Sequence, residues 1–465
     1  MITPAEITVR HLSTFPHGGA AMAAQRLHTG LKRYGVTSQF LYHHDNGTET
    51  PEEREDFQQL TFDKKAHLQT EDGKNLDWLS FRVARFKEKK IHQLFHRHLA
   101  NRPEGFETYA MARLHYPTPF SQVADWQQHD IVHLHWISFF LDYPSFFQSI
   151  PDHVPIVWTL HDTNAFTGGC HFASGCESFQ SGCGSCPQIQ HPKAKDVSHH
   201  SFVAKQLALR NKNVHVVSPS DWLTQLAKKS AIWPEQTQFQ KIHYGLDLKK
   251  FQPIDRNAAR QSLELPKDTK LISFGAADVT NKRKGFQFLA DALQIVHQQS
   301  PERVECLIFG AGELEFASDL PKVHSMGFVE DAARLNQIYS AADMLVIPSL
   351  EDNQPQTGLE AMACGTPVVA FEAGGIPEFV RHEKTGLLAR QVDSNDLAKQ
   401  MIRLANDSKL QQQMSESARA MMEMEFETET QAWHHLKFYR DILKSNSVAA
   451  PARVPASQPQ RKRAA

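Results

Sequence analysis

Met344–Phe371 reads MLVIPSLEDNQPQTGLEAMACGTPVVAF, and this stretch decides the fold. Met344–Ile347 runs apolar without interruption, as a strand buried on both faces does. Pro348 ends it and an acidic loop follows. Thr357, Gly358 and Leu359 then lead into a short helix from Glu360, which Gly365 can terminate ahead of a second apolar strand, Pro367–Phe371. Strand, loop, helix and strand in this order make a parallel α/β unit. The start of such a helix presents unpaired N–H groups and the positive end of a dipole, which suit a phosphate or pyrophosphate. Asp352 and Glu360 flank that seat and can accept hydrogen bonds from sugar or ribose hydroxyls. The plainer reading is a solvated loop acid and an ordinary charge at a helix start.

The same alternation extends in both directions. Strands are expected at Ile7–His11, Ser38–Tyr42, Asp130–His135, Pro155–Leu160 and Val214–Ser218, then at Lys270–Phe274 and Val304–Phe309. Helical patterns such as Ala20–Tyr34, Gly285–Gln298 and Asn395–Asn406 fall between strands. Two such runs predict an α/β protein of two doubly wound, Rossmann-like domains, with ligands at the carboxyl ends of the strands. The first domain is expected over residues 1–252, with a polar helical insertion at about 46–117. A linker at 253–265, between Pro253 and Pro266, separates it from a second domain over 266–424. Residues 447–465, poor in apolar side chains and ending in clustered basic ones, are expected to be disordered.

Composition removes several function classes. A chain of 465 residues suits two or three domains, and 41% hydrophobic with 22% charged residues is ordinary for globular cores. Lys+Arg 50 against Asp+Glu 52 gives no global pull towards nucleic acid. No run of apolar residues is long enough to span a bilayer. The start, MITPAEITVRHLS, lacks a basic segment followed by an apolar run, so no secretory signal is expected. Six cysteines are too few for a disulfide scaffold, and a reducing, cytoplasmic setting is the expectation.

Asp352-x7-Glu360 followed by Ala-Met-Ala-Cys-Gly-Thr-Pro-Val-Val resembles the signature of the retaining glycosyltransferases of the GT-B fold, family 4 group, also called group 1 glycosyl transferases. That family has Glu at both ends; Asp352 stands at the first here, with Glu351 beside it as the alternative acid for the donor sugar. Glu360 matches the position that holds the nucleotide ribose. Ala373–Glu378 (AGGIPE) and Lys384–Leu388 (KTGLL) continue the resemblance. In FGAADVTNKRKG, residues 274–285, Lys284 matches the family's lysine ahead of glycine. Where many relatives have an Arg after the strand, this chain has Ala276 and Ala277, and Arg283 or Lys282 can compensate. A cation there stabilises the charge that develops on a leaving diphosphate, without a metal. Gly18 and Gly19, in PHGGA, let a backbone approach the donor from the first domain. His161, in WTLHD, matches the family's cleft histidine near the donor sugar, while His133 and His135 read as structural or acceptor-side.

The resemblance implies that His161, Lys284, Asp352 and Glu360 form the catalytic set. Gly18, Gly19, Arg283, Glu351, Thr357, Gly358 and Leu359 would complete the donor site. The first domain is then the acceptor side, the second the nucleotide-sugar side, and residues 425–446 form a helix returning to the first domain. No cofactor is expected for catalysis.

Cys170, Cys176, Cys183 and Cys186 fall in a glycine-rich loop, 168–187, whose closing Cys-x-x-Cys is half of a zinc-site pattern. A structural zinc, disulfides and free thiols are the three readings. Within Trp78–Leu99, Trp78, Phe81, Phe86, Ile91, Leu94 and Phe95 sit on a helical stripe beside six basic residues and one Glu. A basic amphipathic helix suits peripheral contact with an anionic membrane at its inner face; packing on its own domain is the alternative.

The function expected is transfer of a hexose-type sugar, with retention, from a nucleotide sugar to a glycan or lipid-linked glycan, in cell-surface polysaccharide or glycoconjugate biosynthesis. The competing reading is a catalytically impaired carbohydrate- or nucleotide-sugar-binding protein on the same fold. A nicotinamide dehydrogenase has only Ile308–Gly312 (IFGAG) in its favour, short of the full glycine fingerprint.

Overall fold

The computed structural model describes residues 2–44, 56–62, 78–114, 116–120, 130–299, 304–314 and 320–449. Among these residues the chain builds two parallel sheets. The first sheet has β1 (Thr8–Ser13), β2 (Thr37–Tyr42), β3 (Phe57–Gln59), β4 (Asp130–Leu134), β5 (Ile156–Thr159), β6 (Val214–Ser218) and β7 (Gln238–Lys241). Their spatial order is β3-β2-β1-β4-β5-β6-β7. The second sheet has β8 (Lys270–Asp278), β9 (Val304–Ala311), β10 (Val323–Ser325), β11 (Met344–Ile347), β12 (Val368–Phe371) and β13 (Gly386–Ala389), in the order β10-β9-β8-β11-β12-β13. Each order reverses direction beside its first strand, at β1/β4 and at β8/β11. Crevices therefore open at the carboxyl ends of those strands, where the motifs lie.

The central strands are apolar runs because helices cover both faces. Every residue of β4, β5, β6, β11 and β12 is buried. The edge strands β3, β7 and β10 are short and partly exposed, so they carry no continuous apolar run.

Helix Thr428–Ala449 crosses back to the first domain, where Ala432, Leu436, Tyr439 and Ile442 pack with Val9, Leu31, Ile131 and Val217. Gly30 permits that crossing, since a Cβ there would sit 2.8 Å from the Ala432 Cβ. The segment expected as a linker is in fact structured. Asp255 caps helix Arg256–Ser262, and Ala259, Leu263 and Leu265 join the second core. Arg260 explains why: its buried guanidinium binds Asp343 Oδ2 at 2.8 Å and several carbonyl oxygens. In the expected insertion, helix Trp78–Leu99 forms, while Phe57–Gln59 adds an edge strand to the first sheet. The rest of 46–77 lies outside the described residues, apart from 56 and 60–62. Of the stretch expected to be disordered, 447–449 continue the last helix and 450–465 lie outside the described residues. No helix among the described residues is long and apolar enough to cross a membrane.

Candidate functional site

The end of β8 runs into a turn that Asn281 caps by accepting the Arg283 N–H at 2.9 Å. Gly285 closes this turn with φ 73°, and a Cβ there would lie 1.9 Å from the Pro348 carbonyl oxygen. A glycine thus seats the cationic turn directly on the end of β11. The result is an ionic cluster. Lys284 Nζ lies 2.7 Å from Asp352 Oδ2, and an Arg283 Nη lies 3.1 Å from the same oxygen. Burial alone would raise the Asp352 carboxyl, but Lys284 and Arg283 reverse that and hold it at about 2.

Arg283 is clamped from both domains. Its Nε donates to Glu107 at 2.6 Å, an Nη donates to the Glu351 carbonyl oxygen at 2.7 Å, and its plane lies 3.9 Å from the Phe172 ring centre. Glu351 does not take the place of Asp352. Its carboxylate turns to the Ser174 N–H at 2.9 Å, across the cleft, and burial pushes its pKa up. Asp352, not Glu351, is the acid that faces the two cations.

Helix Gln356–Ala363 begins after Pro355 with no side-chain cap, so its first N–H groups are left for other partners. Gly358 is required there: a Cβ would meet the Phe379 ring at 2.7 Å. Thr357 is half-buried at the helix start. Leu359 is fully buried in the second core, so only its backbone, not its side chain, is available to a ligand. Glu360, one turn in, accepts from Tyr339 OH at 2.9 Å and from Arg26 of the first domain at 3.2 Å. Burial pushes its carboxyl up, against the Arg26 charge. Arg26 also donates to Gln356. Gly18, at φ 85°, and Gly19 bring the first loop opposite this helix, and a Cβ on Gly19 would be 3.8 Å from Gln356 Cγ. Ser220 Oγ completes the closure by donating to Asn353 Oδ1 at 2.6 Å.

His161 follows the end of β5 by two residues. Its Nδ1 lies 2.7 Å from Tyr244 OH and its Nε2 lies 3.3 Å from His135 Nδ1. His135 Nε2 in turn lies 3.0 Å from His11 Nδ1, while His11 Nε2 is buried without a partner. Burial pushes His161 down to about 4 and drives His135, His133 and His11 well below the usual imidazole range. Both His161 nitrogens therefore face protein partners in a row of neutral rings. Ligand atoms of His11, His133 and His135 lie within 4.8 Å of one another, yet the His133 nitrogens are taken by Tyr439 OH at 2.6 Å and Thr159 Oγ1 at 2.7 Å. His133 and His135 are thus core residues, as their structural reading has it.

The four loop cysteines are reduced and line one small cavity, though no three of their sulfurs come within 4.8 Å of one another. Burial pushes the Cys170 and Cys183 thiols up to about 12.

The structure thus brings Lys284, Arg283, Asp352, Glu360 and the Gly18–Gly19 loop to one cleft, with Glu351 at its rim. It adds residues that no local pattern marks, namely Glu107, Phe172, Tyr244 and Tyr339. Arg26 alone had a signal: it lies seven residues after Gly19, two turns along one helix face.

Residues 268–407 match the family described as glycosyl transferases group 1. The D-inositol 3-phosphate glycosyltransferase of Saccharomonospora viridis is 30% identical over 57% of this chain, and the aligned part spans 60% of that relative's length. The putative colanic acid biosynthesis glycosyl transferase WcaC of Escherichia coli is 25% identical over 78% of this chain and 82% of its own. The sucrose-phosphate synthase of Thermosynechococcus elongatus superposes with a TM-score of 0.61 at 19% identity, over 94% of this chain and 100% of that one. The two-sheet architecture is the GT-B fold.

Proposed function

We propose that the chain is a group 1 glycosyltransferase, the family that residues 268–407 match, and that it moves a sugar from a nucleotide-sugar donor to a glycan or lipid-linked glycan with retention of configuration. One observation carries this reading. Two cations, Lys284 and Arg283, converge with an uncapped helix start and Glu360 at the carboxyl ends of β8 and β11. Cations and open N–H groups together fit a diphosphate, and a carboxylate one helical turn further fits the ribose hydroxyls beside it.

In this reading the diphosphate sits between Lys284, Arg283 and the start of helix Gln356–Ala363. As the glycosidic bond breaks, negative charge grows on the leaving phosphate, and the two cations stabilise it more than they do the intact donor. Asp352 holds both cations in place beforehand. The acceptor hydroxyl attacks from the face that the nucleotide leaves, and the departing phosphate takes its proton, which gives retention. His161, neutral and held on both nitrogens, shapes the cleft without acting as a base. No step needs a metal ligand from this set.

The lipid-linked acceptor is supported by helix Trp78–Leu99. Its Val83 and Phe86 side chains are exposed beside exposed Arg82, Lys89 and Lys90, as a helix seated on an anionic leaflet requires. Such a protein works at the inner membrane face, in cell-surface glycan assembly.

The test is turnover. The purified protein, with a panel of nucleotide sugars and lipid extract as acceptor, should release nucleoside diphosphate and form a product whose anomeric proton coupling matches the donor. Binding without turnover across the panel would favour the impaired binding protein instead.

A further inference from the structure

The cysteine loop does something the transferase reading leaves unassigned. Between Cys170 and Cys176 it sends Phe172 onto the Arg283 guanidinium, 3.9 Å from the ring centre, and the Ser174 N–H onto Glu351 at 2.9 Å. Both targets belong to the second domain, at the rim of the donor cleft. The loop that holds these contacts has almost no regular structure of its own. Ser174, Gly175, Gly182, Cys183, Gly184 and Ser185 all have positive φ, a backbone that needs an external tie to persist.

The tie is visible in what the four sulfurs share. Cys170, Cys176, Cys183 and Cys186 line one cavity with Tyr109 and Phe179, and none is in a disulfide. One backbone N–H points at a sulfur: Gly168 N–H donates to Cys183 Sγ at 3.2 Å. Amides aimed at sulfur stabilise thiolate ligands. Two cations flank the cluster. Arg102 lies over the Tyr109 ring, 5.2 Å from its centre, and donates to the Gln188 carbonyl oxygen at 2.8 Å, while Lys205 is buried beside Asn164.

We propose that Cys170, Cys176, Cys183 and Cys186 bind one zinc ion, and that this metal fixes Phe172–Ser174 against Arg283 and Glu351. Soft thiolates in a tetrahedral set select zinc, with sulfurs drawn to about 3.8 Å from one another by Zn–S bonds of about 2.3 Å. No three sulfurs here lie within 4.8 Å, so the metal draws the loop inward as it binds. Each ligating thiol releases its proton to solvent, and the anionic site that results is balanced by Arg102 and Lys205. The metal is structural: no open coordination position remains for a substrate. That Arg283 and Glu351 border a donor cleft rests on the proposed transferase reading; the metal site itself does not.

The experiment uses the full chain, purified reduced and without a metal-affinity tag. Elemental analysis should find about one zinc per chain, lost from the Cys183→Ser/Cys186→Ser variant. Should that variant fail to fold, native alkylation followed by mass spectrometry keeps the question open to refutation: the four thiols of the zinc-loaded chain should resist alkylation and all react after chelation. Hydrogen exchange at Ser174 should quicken on chelation, whether or not the protein transfers sugar. A reduced chain that takes up no zinc, zinc retained by the double variant, or native disulfides among the four would each overturn the site. Unchanged exchange at Ser174 after zinc loss would overturn the clamp.

Discussion

Lys284 Nζ and Asp352 Oδ2 stand 2.7 Å apart, joining the cationic turn after β8 to the acidic loop after β11. Residues 68 positions apart in sequence thus form one unit, with Arg283 as its third member. Both cations are largely buried and converge on one Asp352 oxygen. Gly285 lets the turn sit against Pro348, where the short Asp352 side chain reaches both cations.

The first prediction concerns the charge of that unit. The Asp352 carboxyl is held at about 2, against an unfolded value of 3.8, so the folded state favours its ionised form. That stabilisation is complete above the unfolded value and is lost as pH falls towards 2. Asp352→Asn should therefore lower stability at pH 7 by about 2 kcal/mol. Denaturant titrations at pH 7 of wild type, Asp352→Asn, Lys284→Met and the double variant check this: the cost of Asp352→Asn should shrink once Lys284 is gone, and an undiminished cost would mean that packing, not charge, is at work.

The buried histidines act in the opposite pH range. His215 and His435 are pushed down to about 4 by burial, and His11, His133 and His135 lie well below 6.5. Between those values the unfolded chain binds protons that the folded chain refuses. Stability should be highest above pH 7 and fall as pH drops through 6.5, by about 1.4 kcal/mol per pH unit for each such residue. Melting curves at pH 7.5, 6 and 5 should show Tm decreasing at each step. A flat Tm would show that these rings are protonated in the fold.

Much of this arrangement was legible in the sequence, and for a physical reason. Central parallel strands such as MLVI and VVAF are buried on both faces, so composition alone marks them. Edge strands such as β7, QFQK, expose one face and only half-bury the other, and escaped notice. Lys284, Asp352 and Glu360 were visible because each sits in a local pattern of turn, loop and helix start. Their partners were not. Glu107, Phe172 and Tyr339 reach the site through tertiary folding from segments with no pattern of their own. His161 could be placed at a strand end, but its capture by Tyr244 and His135 depends on side chains far away in sequence.

A third prediction addresses the acceptor. Val83 and Phe86 are 47% and 62% exposed on helix Trp78–Leu99. Basic residues near an anionic surface contribute about 1 kcal/mol each, screened by salt. The protein should float with vesicles containing phosphatidylserine at low ionic strength and be released at about 0.5 M salt, where the Debye length is only a few ångströms. Val83→Ser/Phe86→Ser should float less. Wild type that stays in the soluble fraction at low salt would point to a diffusible acceptor.

The most direct test of the donor site is calorimetric titration of nucleoside diphosphates into wild type, Lys284→Ala and Glu360→Ala. Each variant removes one charge-assisted contact, worth about 1.5–3 kcal/mol, so affinity for the diphosphate that wild type binds should fall by about tenfold to a hundredfold. Lys284→Ala should weaken inorganic pyrophosphate as well, whereas Glu360→Ala should weaken only ligands that carry a ribose. Wild type that binds no nucleoside diphosphate, or variants that bind as tightly as wild type, would contradict the account.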